Sequence, residues 1–160
     1  MEIKTDYLNQ VYNLSEFVHT VKKTVAKARQ IMTMEEYDSI AFTGTSGAAM
    51  AYILSAELGV HLICIRKATD SSHYVRGHGQ LEGNVSAKRY LFVDDFISSG
   101  TTFRTVREFI KNKMPKAECI GGLMYAATRG DYNFHDYLIY TTHVEEGTQL
   151  HFPQIMGPNW

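Results

Sequence analysis

Charge of one sign is what this chain conspicuously lacks. Sixteen Lys and Arg face seventeen Asp and Glu, a formal net charge of −1. No global basic field is present to recruit nucleic acid. Cysteine is scarce too: Cys64 and Cys119 are the two, each in an apolar run, where buried structural thiols are expected rather than a disulfide or a nucleophile. Long apolar runs are missing. The longest, residues 47–60, is broken by Ser55 and Glu57 and is too short to span a bilayer. The start, MEIKTDYL, has no basic region followed by an apolar core, so no secretory leader is expected. There is no internal repeat or low-complexity segment. Seven histidines show no HExxH or comparable metal-ligand spacing, and a zinc site at His73 and His78 is unsupported. Several methionines, among them Met32, Met34 and Met50, read as core filler. These features leave an ordinary globular chain, 44% hydrophobic and 21% charged, long enough at 160 residues for one domain.

The elements follow from periodicity. Asn13 with Glu16 forms a variant capping box, and Leu14, Phe17, Val18, Val21, Val25 and Ala28 recur at helical spacing, which predicts a helix over 14–32. Residues 39–43 form an apolar strand. Residues 48–58 read as a helix stopped by Gly59. Strands are expected at 60–65, 90–93, 118–125 and 137–141, and a helix at 102–112 closed by Pro115. Strands alternating with helices predict an α/β fold, a parallel sheet flanked by helices on both faces. Ligands in such sheets sit at the strand carboxyl ends.

Residues 91–102, LFVDDFISSGTT, are placed there. An apolar strand runs into Asp94 and Asp95, then Phe96 and Ile97, then Ser98, Ser99, Gly100, Thr101 and Thr102 at a helix start. Helix starts present unpaired N–H groups and a positive partial charge, and small residues let a phosphate reach them. The carboxylates suit sugar hydroxyls or a hydrated Mg²⁺. A phosphate and a polyol at that separation describe a ribose 5-phosphate. The alternative is an ordinary capped helix behind an acidic strand end.

The segment resembles the phosphoribosyl-pyrophosphate (PRPP) motif of the type I phosphoribosyltransferases, with the aromatics Phe92 and Phe96 where aliphatics are more usual. The resemblance implies a single domain over residues 1–160, with a core at about 38–141 and a small hood from about 1–37 and 142–160. It implies a Mg²⁺-dependent transfer of ribose 5-phosphate from PRPP to a nucleobase, with release of pyrophosphate, in nucleotide synthesis or salvage. Asp94 and Asp95 would hold the ribose hydroxyls and, through water, the metal. Ser98 to Thr102 would hold the 5-phosphate. The turn of Gly44, Thr45, Ser46 and Gly47 also leaves a strand for a helix, and resembles the family's pyrophosphate loop. It lacks the GK[ST] of a P-loop and the spacing of a nucleophile elbow. Arg66 and Lys67 would add charge beside it.

Residues 67–88 lack periodicity. Arg66, Lys67, Arg76, Lys88 and Arg89 lie in or beside them against Asp70 and Glu82. A loop this long in a compact domain is usually functional or disordered. By resemblance it is a lid; otherwise it is a solvated excursion. The base is left open. Ser98 stands where enzymes for 6-oxopurines carry an aspartate, and Tyr125 and Ala126 stand where they carry a lysine, with Arg129 further on. Both departures disfavour a 6-oxopurine; adenine and orotate remain. Base-contacting candidates are Tyr125 and, in the aromatic tail with Pro153, Pro158 and Trp160, Phe152. The resemblance further implies a cytoplasmic homodimer acting on small molecules, with neither nucleic acid nor membrane as partner. Two other readings stay open: a regulatory protein that senses PRPP or a nucleotide on the same fold, and an enzyme for a non-standard base or ribosyl phosphate.

Overall fold

The computed structural model describes residues 14–66, 81–127 and 130–142. Its elements run α1 (Leu14–Met34), β1 (Ser39–Phe42), α2 (Gly44–Leu58), β2 (His61–Ile65), β3 (Leu81–Gly83), β4 (Arg89–Asp94), α3 (Thr101–Lys113), β5 (Glu118–Met124), β6 (Tyr132–Phe134) and β7 (Tyr137–Thr141). One seven-stranded sheet has the order β3-β2-β1-β4-β5-β7-β6. The strands from β2 to β7 through the centre pair in parallel; β3 on β2 and β6 on β7 pair antiparallel. The sheet is therefore mixed at its two edges rather than wholly parallel. β6 and β7 turn through His135 and Asp136, both at positive φ (43° and 68°), the geometry of a two-residue hairpin turn.

Strand side chains alternate between faces, so successive residues of β4 feed two separate cores. Leu91 and Val93, with Ile40 and Phe42 of β1, pack against Val25, Ala28 and Ile31 of α1 and Met50 and Leu54 of α2. Tyr90 and Phe92, with Ala41, Ile63 and Ile139, pack against Phe103, Val106 and Ile110 of α3. Each large apolar side chain fully buried in this way contributes about 1.5–3 kcal/mol relative to exposure. α1, counted with the hood on sequence grounds, thus supplies core to the sheet. Cys64 packs with the first cluster and Cys119 with the second, so the thiols lie on opposite faces and neither is in a disulfide. Burial pushes the Cys119 thiol up to about 11.

Element ends follow local chemistry. Gly59 takes φ 67° and donates its N–H to the Ser55 carbonyl at 2.9 Å, stopping α2 as its sequence predicts. α2 begins at Gly44, four residues before the predicted start, so the small-residue turn is itself the helix's first turn. No helix among the described residues is long and apolar enough to cross a membrane.

The chain leaves β1 through α2 to β2 on one side and returns to β4 on the other. α2 and α3 lie on opposite faces of the sheet. The carboxyl ends of β1 and β4 are therefore the switch point where a crevice opens.

Candidate functional site

A cavity of about 290 Å³ lies at that switch point. Thr43 and Ser46 line one side, Asp94 and Asp95 the strand end, and Ser98 to Thr102 the other. Two candidate groups separated by some fifty residues in sequence thus meet in one place. Thr43 is extended and buried; its hydroxyl donates to the Ile65 carbonyl at 2.6 Å, tying the exit of β1 to the end of β2.

Both acids are largely enclosed, Asp94 at 9% and Asp95 at 6% exposure. Asp94 Oδ1 accepts the Ser46 hydroxyl at 3.1 Å and the Asp95 N–H at 3.0 Å. Asp95 Oδ1 accepts the Phe96 N–H at 2.7 Å. Burial raises the Asp95 carboxyl above its ordinary value, and the Phe96 N–H opposes that rise. Their carbonyls are held as well: the N–H groups of Tyr125 and Ala126 donate to Asp94 and Asp95 at 3.0 and 2.8 Å, extending the β4–β5 pairing past Met124. Main-chain N–H groups thus hold both the side chains and the carbonyls of the two acids.

The phosphate candidate is the N-terminus of α3. Gly100, its N-cap residue, has φ 76° and places no side chain over the first turn. Ser98, Ser99, Thr101 and Thr102 are exposed. The Ser99 and Thr101 hydroxyls lie 3.0 Å apart, and Ser99 Oγ accepts the Thr101 N–H at 3.4 Å. Three supports were not read from the sequence. Arg104 donates to the Ser99 carbonyl at 3.2 Å and lies 3.4 Å from His135 Nε2. The Phe134 ring lies against Gly100, with Cζ only 2.1 Å from where a Cβ would stand. Met124 closes the floor of the cavity. A basic residue one turn into α3 was a legible hint for Arg104. Nothing in the sequence pointed Phe134 at residue 100.

On the opposite side, Gly47 lets the first turn of α2 approach β4: a Cβ there would meet the Val93 carbonyl oxygen and the Phe42 Cβ, each at 3.2 Å. Ser46 faces the cavity; Gly44 and Thr45 are exposed beside it. Arg66 pairs in two-pronged fashion with Glu82, both bonds at 3.0 Å, so part of its charge is spent across the β2–β3 edge. Tyr125, a base-contact candidate, is 1% exposed and donates its hydroxyl to the Ser46 carbonyl at 2.8 Å. Its ring belongs to the packed core and does not present a face to the cavity. Lys67 and Phe152, the tail with Trp160, and most of the supposed lid lie outside the described residues.

No group of three or more His, Cys, Asp or Glu suited to a metal occurs among the described residues. The two carboxylates still fit Mg²⁺, which dehydrates reluctantly and is commonly held by one or two carboxylates together with substrate phosphates and water. A third protein ligand is not required for that mode.

Comparisons with known proteins agree with the fold. The phosphoribosyl transferase domain family matches residues 11–154. Adenine phosphoribosyltransferase from Saccharomyces cerevisiae has a TM-score of 0.56 at 18% identity, over 74% of this chain and 72% of that one. Orotate phosphoribosyltransferase from Aeropyrum pernix has a TM-score of 0.52 at 15% identity, over 69% of this chain and 58% of that one. At these identities the likeness is one of fold. The transcriptional regulator GfcR of Methanocaldococcus jannaschii is 30% identical over 96 residues, 58% of this chain but only 44% of the regulator. The family match takes in all of the described sheet and both walls of its crevice, and on that ground this chain belongs to the phosphoribosyltransferase family.

Proposed function

We propose that the protein transfers ribose 5-phosphate from PRPP to a nucleobase and releases pyrophosphate, in nucleotide synthesis or salvage. The observation that carries this is one cavity with buried paired carboxylates on its strand end and a small-residue helix start beside them. Ser98 to Thr102 anchor the 5-phosphate, remote from the bond that breaks. Asp94 and Asp95 take the ribose hydroxyls. Gly44 to Gly47 receive the pyrophosphate, with Arg66 and Lys67 adding charge at the mouth. Phe152 is the remaining aromatic candidate against the base. Mg²⁺, when bound with the substrate, neutralises pyrophosphate charge, and Asp94 and Asp95 would hold it through water.

In the reaction the C1–O bond to pyrophosphate breaks, a base nitrogen bonds to C1, and the proton that nitrogen carried leaves to pyrophosphate or water. Positive charge develops on the ribose ring and negative charge on the leaving group. The protein supplies placement and a fixed field rather than a covalent partner. The enclosed carboxylates face the side where positive charge grows, and the helix-start N–H groups hold the anion still. Losing one such electrostatic contact typically costs about 2.7–4 kcal/mol of barrier. Ser98 offers no carboxylate, which favours adenine or orotate over a 6-oxopurine. The same reading carries a homodimer in the cytoplasm.

A second reading has its own support. Similarity to a transcriptional regulator favours a protein that senses PRPP or a nucleotide without turnover. One experiment separates the two: PRPP, Mg²⁺ and a panel of purines and pyrimidines, with pyrophosphate release as readout. Release with one base, abolished in the Asp94→Asn, Asp95→Asn double variant, is the expected result. PRPP binding with no release on any base selects the sensor. Wild-type-like release by the double variant refutes the role given to the acids.

A further inference from the structure

Three hydrogen bonds close a ring around the two walls of the cavity. The Tyr125 N–H donates to the Asp94 carbonyl at 3.0 Å. The Ser46 hydroxyl donates to the Asp94 carboxylate at 3.1 Å. The Tyr125 hydroxyl donates to the Ser46 carbonyl at 2.8 Å. One residue just past β5 thus touches the acid's main chain at one end and the first turn of α2 at the other. We infer that Tyr125 is a positioning residue for the pyrophosphate side of the site: its hydroxyl sets the first turn of α2 so that Ser46 meets Asp94.

The alternative, that Tyr125 merely fills the core, does not explain the hydroxyl. At 1% exposure a phenylalanine ring would fill the same space. Taking a hydroxyl out of water is unfavourable unless it is bonded, and here its partner is a carbonyl in a helix. A carbonyl has two lone pairs, so the Tyr125 bond adds to the helix ladder rather than replacing part of it. Its effect falls on where the turn stands. Gly47 makes that placement sensitive, because a Cβ there would already stand a tight 3.2 Å from the Val93 carbonyl oxygen. The 5-phosphate turn is on α3, against Phe134 and Arg104, and has no bond to Tyr125 in this ring.

This inference rests on the ribosyl-phosphate reading above. The test is calorimetric titration of wild type and Tyr125→Phe with Mg²⁺ and, separately, pyrophosphate, PRPP and ribose 5-phosphate. Tyr125→Phe is expected to melt within about 4 °C of wild type. It should bind pyrophosphate and PRPP on the order of fivefold more weakly, the scale of one neutral hydrogen bond, while ribose 5-phosphate changes by less than about twofold. In a Ser46→Ala background, where the tie to Asp94 is already cut, the effect of Tyr125→Phe on pyrophosphate should shrink. Equal losses for all three ligands, no loss for any, or failure of the variant to fold would each overturn the positioning role alone. Wild-type protein that binds none of the three overturns the ribosyl-phosphate reading, and the positioning role with it.

Discussion

Replacing Gly100 with alanine places two costs on one new atom. The residue sits at φ 76°, where a Cβ crowds the backbone and costs roughly 1–2 kcal/mol. The same Cβ would lie 2.1 Å from Phe134 Cζ and 2.5 Å from Cε1, so the ring must move. The ring is poorly placed to yield. Phe134 is 5% exposed, stands edge-on to Phe103 at 6.4 Å and packs against His135 at 4.4 Å. Overpacking of this kind costs about 1–3 kcal/mol. Together the two give about 2–5 kcal/mol, a large share of the roughly 5–15 kcal/mol that holds a domain folded. Urea unfolding of Gly100→Ala measures the sum. Repeating it in a Phe134→Leu background, which lacks the clashing ring atoms, should bring the cost toward the backbone part alone, about 1–2 kcal/mol. A loss below about 0.5 kcal/mol, or one of equal size in both backgrounds, would refute the claim that Phe134 and Gly100 define each other's position.

Two further outcomes follow from the charged groups. Lys27 is 7% exposed and its ammonium lies 2.8 Å from Asp131, which also accepts the Thr141 N–H at 3.0 Å. Asp131→Ala strands a buried charge, but Asp131 is itself 32% exposed, so the loss should be about 1–3 kcal/mol, discounted from the fully buried case. Lys27→Met removes the charge instead and should cost less; thermal melts showing the reverse order would contradict the pairing argument. For Asp95, burial raises the folded-state carboxyl above its unfolded value, so the folded state holds the proton more tightly. The stability this contributes is complete below the ordinary carboxylate range and is lost as pH rises through the raised folded value. In ligand-free protein Asp95→Asn should therefore flatten the fall in stability on raising the pH from about 4 to 7; an unchanged pH profile would count against the burial effect.

The place of the candidate site is legible where chemistry and position coincide in a short stretch. An apolar run, two acids and a small-residue turn are contiguous from Leu91 to Thr102, and the cavity is lined by Phe92 and by residues 94–102. α2 starts four residues before its sequence predicts, for a physical reason. Gly44, Thr45, Ser46 and Gly47 are poor helix formers, but a first turn has no intrahelical N–H bonds to lose, so propensity counts for little there. β3 and β6 were missed because each has three residues, too few for period-two alternation to show. Both are sheet edges, which is why a wholly parallel sheet was expected and a mixed one is found. The hairpin before β7 hid for a related reason: His135 and Asp136 take positive φ without the glycine that usually marks such a turn. Tyr125 could be placed near the site from its position after β5, but only the fold shows its hydroxyl turned to Ser46.

In the proposed function the turn entering α3 grips a phosphate monoester while Asp94 and Asp95 face the diol of the same sugar. A crystal structure of the protein with a bound nucleoside 5-monophosphate decides between this arrangement and its alternatives. The predicted density has the phosphate on the N–H groups and hydroxyls of Ser98 to Thr102 and both ribose hydroxyls within hydrogen-bond distance of the two carboxylates. A nucleotide bound with its phosphate on another element, or with its sugar turned away from Asp94 and Asp95, would contradict it.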